Sequence, residues 1–240
     1  MKRKNTLLSN TQPITKLPNL AIFDLDETLI AADSASLWVR FIVNKGLASP
    51  LLIEQEQNLM KDYAKGSMDM QSYMAATLAP IAGMSTGELA PLIEEFVQTC
   101  IRPALFPAAI ERIEWHKRRG DTVIIISATG EHLVRPIAEL LLVDDALAIN
   151  LETQNNTLTG NTVGTLSYRE GKVVRLEAWL EAHSDSFNAL YCYTDSINDL
   201  PLLQAVDHPF AVNPDPALAL HAQMQEWTIM NWHHENDIQR

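Results

Sequence analysis

The chain has little cysteine, little glycine and no long apolar run. Its two cysteines, Cys100 and Cys192, lie far apart and match neither a disulfide framework nor a zinc-ligand spacing. A staple-dependent secreted fold is therefore not expected, and both residues read as ordinary buried thiols in a reducing compartment. No segment approaches the roughly 20 consecutive apolar residues that a membrane span needs. The first twenty residues hold four basic side chains but no apolar stretch of signal-peptide length, so the expected location is cytoplasmic. Positive charge is also scarce. Eighteen Lys and Arg face thirty Asp and Glu, for a formal net charge of -12. Such a surface repels polyanions, so neither nucleic acid nor anionic membrane is an expected partner, and a phosphate ester would need a local positive site. None of the nine glycines builds a phosphate-cradling loop, and there is no internal repeat or low-complexity segment. The seven histidines (His116, His132, His183, His208, His221, His233 and His234) show no triad or zinc spacing and read as surface or satisfied core residues.

What is present is a hydrophobic fraction of 47% in 240 residues, enough for one large domain or one domain carrying an insertion. Leu20 to Phe23 is apolar without alternation and ends in acid, as expected of a strand buried on both faces. Thr122 to Ile126 repeats the pattern and ends at Ser127; Ala189 to Tyr193 and Pro209 to Val212 are similar. Helical spacing between these runs predicts parallel strands with crossover helices. Pro107 opens one helix, through Ile110, Ile113 and His116 to a basic end, with Gly120 as its stop. A second helix, Lys172 to Ala182, carries Val173, Val174, Leu176 and Leu180 on a broad apolar face, and Pro136 sets the start of a third near Arg135. Glu152 to Gly164 reads as a turn-rich hairpin.

From about Asp33 to Arg102 the alternation stops and helical patterns follow one another. Leu37, Trp38, Phe41 and Ile42 share a helix face, and Ser85 with Glu88 forms a capping box. Met60, Met68, Met70, Met74 and Met84 fall in this insert, as core fillers or as an adaptable surface over a substrate. The expected fold is α/β: a Rossmann-like three-layer core with a central parallel sheet, residues 17–32 and 103–231, plus an inserted helical cap, 33–102. Residues 1–16 and 232–240 read as polar tails.

Four places carry chemistry. Asp24 and Asp26 lie two apart where the first strand ends, at the edge where open α/β sheets bind ligands. Paired carboxylates suit a hard cation such as Mg²⁺, and their pKa values separate, so that one is a nucleophile while its neighbour holds a proton. Ser127, Ala128 and Thr129 follow the second strand and offer hydroxyls and backbone N–H groups to a phosphate. Lys172 supplies the fixed cation that phosphoryl transfer needs. Asp195, Asn198 and Asp199, in YTDSINDLPLL, complete the metal surroundings and orient the lysine.

FDLDETL, Ser127 at its strand end, Lys172 in REGKV and TDSINDLPLL together resemble the four motifs of the haloacid dehalogenase superfamily, over nearly the whole chain. The insert is similar to the helical cap of its phosphoserine phosphatase-like branch (subfamily IB). SATGEHLVRPIAELL and AVNPDPALALHA resemble histidinol-phosphatase-like members. The resemblance implies Asp24 as nucleophile, Asp26 as general acid and then base, and Lys172 as charge neutraliser. It implies Thr28, Ser127, Ala128, Thr129 and Asn198 as supporting and phosphate-binding groups. Mg²⁺ would lie among Asp24, the Asp26 carbonyl and Asp195, with Asp199 and Asn198 behind. The implied activity is hydrolysis of a small phosphomonoester, histidinol phosphate before phosphoserine. Ala128 and Thr129 stand where phosphoserine phosphatases tend to carry two glycines, and Thr194 stands where they carry a third. A phosphotransferase or phosphomutase could use the same intermediate. A receiver-type signalling module lacks an acid two residues after its nucleophile, and a silent binding protein would not need all four acids at 24, 26, 195 and 199. Oligomeric state is left open by the sequence.

Overall fold

A computed structural model of the chain describes residues 17–65, 67–183 and 186–232. Of the expected tails at 1–16 and 232–240, all but Trp232 lie outside the described residues. Seven strands form one sheet in the order β4-β3-β2-β1-β5-β6-β7: β1 (Leu20–Phe23), β2 (Thr122–Gly130), β3 (Asp145–Gln154), β4 (Thr157–Val163), β5 (Leu190–Thr194), β6 (His208–Val212) and β7 (Thr228–Met230). All neighbouring pairs are parallel except β3 and β4. Between these last two, Asn155 and Asn156 both take positive φ (51° and 62°), as a tight hairpin requires. The chain adds β2 and β3 on one side of β1, then β5, β6 and β7 on the other. The order therefore reverses at β1, and the crevice at its carboxyl end is the ligand position of such sheets.

Three layers follow from the two-residue period of a strand. Ala21 and Phe23 of β1, with Val123 and Ile125 of β2, belong to one apolar cluster. Leu20, Ile22, Ile124 and Ile126 point the other way into a second. The first cluster is covered by α5 (Pro107–Arg118) and α6 (Glu131–Leu141), the second by α7 (Glu170–Ala182), α8 (Leu200–Gln204) and α9 (Pro216–Met224). Between β1 and α5 the chain builds α1 (Ser34–Asn44), α2 (Leu51–Ala64), α3 (Met70–Leu78) and α4 (Thr86–Phe96), the last continued by a π turn at Val97–Ile101. This insert has its own aromatic packing: Trp38, 2% exposed, stacks on Phe41 at 5.5 Å and meets Phe96 edge-on at 5.2 Å. Asp33 caps α1 by accepting from the Ser36 N–H, and the Ser85–Glu88 capping box opens α4. The β3–β4 hairpin braces the insert, since the N–H groups of Gly83 and Thr86 donate to the carbonyls of Leu158 and Asn156.

Six expectations need correction. Cys100 is half-buried rather than buried. His132 is buried but unsatisfied, with neither ring nitrogen hydrogen-bonded to a described residue. Strand β2 runs on to Gly130, with an irregularity after Ile126. Helix α6 begins at Glu131 rather than near Arg135, and Pro136 lies inside it. The ring removes one early backbone bond, which the buried face of Leu133, Val134, Ile137, Ala138 and Leu141 outweighs. Val174 is 48% exposed, because α7 turns Lys172, Leu176 and Trp179 inward instead. Trp232, assigned to the polar tail, is buried, stacks on Tyr193 and donates its backbone N–H to Asn213 Oδ1 at 2.7 Å.

Candidate functional site

Asp24 follows β1 directly, with its N–H on the Tyr193 carbonyl of β5 at 2.9 Å. This extends the parallel pairing one residue past the strand and fixes the Asp24 carboxylate over the crevice. Lys172, in the first turn of α7 and 1% exposed, reaches across to it: Nζ lies 2.6 Å from Asp24 Oδ1 and 2.7 Å from Asp199 Oδ2. Asp199 is steadied in turn by the Thr194 hydroxyl at 2.7 Å. Burial alone would depress the lysine, but the charges of Asp199 and Asp24 outweigh it and hold the ammonium protonated well above its ordinary range.

Asp26 points to a different set of donors. Its Oδ1 accepts the Ser34 N–H at 2.6 Å, and its Oδ2 accepts the Thr129 hydroxyl at 3.0 Å and the Ser127 hydroxyl at 3.4 Å. The Thr129 N–H also donates to Ser127 Oγ, at 3.0 Å. Burial, and then the Asp33 charge, push Asp26 up to about 7 despite those donors. Asp24 is also pushed up to about 7, by burial first, against the pull of Lys172 and with the repulsion of Asp199 and Asp26 added. Asp195, after β5, accepts the Thr28 hydroxyl at 3.2 Å and is pushed well up by burial, Asp24 and Asp199.

The sequence-predicted residues thus gather at one sheet edge: Asp24, Asp26, Thr28, Ser127, Thr129, Lys172, Asp195 and Asp199. Ala128 lines the same cavity. Asn198 is turned elsewhere, with Nδ2 donating to the Tyr63 carbonyl at the end of α2, 3.2 Å away. Among the described residues, no three His, Cys, Asp or Glu side chains already converge as a metal cluster. Asp199 is held by Lys172 and Thr194, and Asp26 uses both oxygens on Ser34 and Thr129. Asp24 and Asp195 each engage one oxygen, Oδ1, with Lys172 and Thr28 respectively. Their mutual repulsion, with one lysine against the four acids Asp24, Asp26, Asp195 and Asp199, is an excess of negative charge that a hard divalent cation fits.

Ser34 and Tyr63 take part without any sign in the sequence, because each acts on a residue fixed by the fold rather than by a local pattern, while Thr194 is marked only as a departure from the motif-four glycine. Glu27 is signalled only by its place in FDLDETL. A cavity of about 210 Å³ lies over the aspartates, walled by Met60, Met68, Met70, Tyr63 and Tyr73 of the insert. A larger apolar hollow of about 640 Å³ between α4, α6 and the hairpin contains none of the site aspartates.

A three-layer α/β fold with acids at the switch point of its sheet, a buried lysine behind them and a helical insert above is the frame of a capped α/β enzyme. Residues 21–204 match the haloacid dehalogenase-like hydrolases, and the chain belongs to that family. Within it, the chain falls in the branch with phosphoserine- and histidinol-phosphatase-like members. It is 38% identical over 221 residues to a histidinol-phosphatase of Neisseria meningitidis serogroup C, spanning 90% of this chain and 100% of that one. It is 30% identical over 233 residues to a phosphoserine phosphatase of Mycobacterium tuberculosis, spanning 93% of this chain and 74% of that protein. A structure of a protein of unknown function from Bordetella pertussis Tohama I superposes with a TM-score of 0.83 at 36% identity, covering 90% of this chain and 99% of that one. No described helix is long and apolar enough to cross a membrane.

Proposed function

We propose that this hydrolase is a Mg²⁺-dependent phosphomonoesterase that passes the phosphoryl group of a small metabolite through Asp24 to water. The observation that carries the reading is the division of labour between two aspartates two residues apart. Both are pushed up to about 7, but Asp24 faces a buried cation 2.6 Å away that favours its carboxylate. Asp26 accepts from the neutral donors Ser34, Ser127 and Thr129 and has the Asp33 charge nearby, which favours its acid form. One is suited to attack as a carboxylate, the other to hold a proton at neutral pH.

In the first step an Asp24 oxygen attacks phosphorus, the ester P–O bond breaks, and the departing alkoxide takes the proton from Asp26. Water then gives a proton to the Asp26 carboxylate and attacks the phosphoaspartate, so that Asp24 leaves as a carboxylate and inorganic phosphate is released. Lys172 offsets charge on Asp24 and the phosphoryl oxygens. Ser127, Thr129 and the backbone at Ala128 would bind those oxygens. Asp24, the Asp26 carbonyl and Asp195 would hold Mg²⁺, which supplies electrostatic stabilisation of the phosphoryl group. Histidinol phosphate is the first candidate substrate, by likeness to the Neisseria enzyme over its whole length. Phosphoserine is the second.

The test is phosphate release from a panel of small phosphomonoesters with Mg²⁺, repeated in EDTA. Metal-dependent release is expected. Release unaffected by EDTA would contradict the metal's role, and transfer to an added alcohol in preference to water would favour a phosphotransferase.

A further inference from the structure

We propose that Glu27 is a specificity-determining residue of this site, selecting phosphomonoesters whose alcohol part is cationic and carries no carboxylate. The inference rests on the phosphomonoesterase reading above and narrows its substrate class.

The backbone at Glu27 is in the left-handed region, with φ of 54°, and is held there by its N–H on the Ala32 carbonyl at 3.1 Å. Glycine adopts that conformation without steric penalty, whereas a side chain is strained there. A non-glycine residue kept in such a place beside reacting groups points to a use for its side chain. The Glu27 side chain is exposed on the cavity wall and makes no hydrogen bond or ion pair with any described residue. Its carboxylate is available to whatever enters.

The rest of the wall gives that carboxylate its meaning. No Lys or Arg among the described residues lines the cavity. The site's lysine, Lys172, is buried behind Asp24 and shared between Asp24 and Asp199. Asp33 adds a second acid to the wall, one of whose oxygens caps α1. Away from the site aspartates, Ala128 and Thr129, the remaining surface is Ala35, three methionines and the side chains of Tyr63 and Tyr73. An ammonium or imidazolium group meets a free carboxylate and aromatic faces, both favourable to cations. A carboxylate on the same substrate meets two like charges and no lining cation to offset them, so its desolvation is poorly compensated. The charge pattern therefore favours phosphorylated amino alcohols over phosphorylated amino acids and over neutral polyol phosphates.

The experiment compares kcat/KM, at fixed Mg²⁺, for histidinol phosphate, O-phosphoethanolamine, phosphoserine and glycerol 2-phosphate. It uses the wild-type chain, Glu27→Gln and Glu27→Gly. Phosphoethanolamine is phosphoserine without its carboxylate, so that pair isolates the rejected group. In the wild type both cationic, carboxylate-free esters should exceed phosphoserine and glycerol 2-phosphate by about tenfold or more. Both variants should lower the cation-to-neutral ratio by roughly two- to fivefold. Glu27→Gly should melt no lower than the wild type, because it relieves the left-handed strain. Metal-dependent hydrolysis with phosphoserine the best of the four, or with the ratio unchanged in both variants, overturns this inference and leaves the phosphomonoesterase reading standing. Absence of metal-dependent hydrolysis of all four overturns both.

Discussion

Replacing Asp24 by Asn should abolish hydrolysis and at the same time stabilise the metal-free protein. Asp24 is buried, and its pKa rises from an ordinary 3.8 to about 7 even with Lys172 beside it. The folded state therefore disfavours the ionised form that the unfolded chain adopts freely. The penalty is absent below about pH 4, where both states are protonated, grows as pH rises, and is complete above about pH 7, where both are ionised. At about 1.4 kcal/mol per pH unit, the difference amounts to on the order of 4 kcal/mol. Asn keeps the volume and removes the charge, and Lys172 keeps its bond to Asp199 at 2.7 Å. For a chain of this size, 1 kcal/mol moves Tm by about 2–4 °C, so at pH 8 in EDTA the variant should melt roughly 8–16 °C above the wild type. The gap should close toward pH 4. Added Mg²⁺ should also narrow it, by stabilising the wild type more. Activity should fall by more than about 10³-fold, because the nucleophile is gone. Thermal unfolding across pH, with and without EDTA, reads all of this. A variant that melts below the wild type at pH 8 in EDTA would refute the reasoning, because Asp24 would then be a net structural support.

Other perturbations separate the remaining roles. Lys172→Met leaves Asp24 and Asp199 buried without their cation, so it should lose activity and cost about 3–5 kcal/mol of stability, seen by denaturant unfolding. A variant of unchanged stability would mean the two carboxylates do not need the lysine in the fold. Because Asp26 must donate a proton and is pushed up to about 7, kcat/KM should fall as pH rises through about 7. Asp26→Asn should remove that alkaline limb along with most activity, and a limb of the same midpoint in the residual rate would assign it elsewhere. Asn198→Ala severs the 3.2 Å bond to the Tyr63 carbonyl. It should raise KM more than it lowers kcat, since it frees the end of α2 from the core; an effect on kcat alone would contradict this. Leu142 ends α6 at φ 53° and is 77% exposed, so Leu142→Gly should raise stability by about 0.5–1 kcal/mol with activity unchanged. A lower Tm would show that its side chain packs usefully.

Local signals were legible where a short pattern decides the structure. The apolar run ending at Asp24, the Ser85–Glu88 box and Pro107 each act within a few residues, and the sheet, the insert and the acidic edge follow from them. What escaped depends on partners distant in sequence. Three-residue β7 is a strand only because β6 lies beside it, and Trp232 is buried only because Tyr193 offers a ring to cover. Pro136 is tolerated inside α6 because five buried neighbours outweigh one lost bond. At the site, the grouping of Asp24, Lys172 and Asp199 was readable from motif order. The Ser34 N–H on Asp26 and the Tyr63 carbonyl on Asn198 were not, because both depend on how the insert returns over the sheet edge.

The central claim is that the phosphoryl group rests on Asp24 between its two transfers. Acid quenching of the enzyme during turnover with histidinol phosphate and Mg²⁺, followed by peptide mass spectrometry, tests it most directly. The account predicts a phosphoryl adduct on the peptide containing Asp24, localised to that residue, lost on dilution into substrate-free buffer and missing from Asp24→Asn. Sustained phosphate release with no adduct at any time point, or an adduct on another residue, would contradict it.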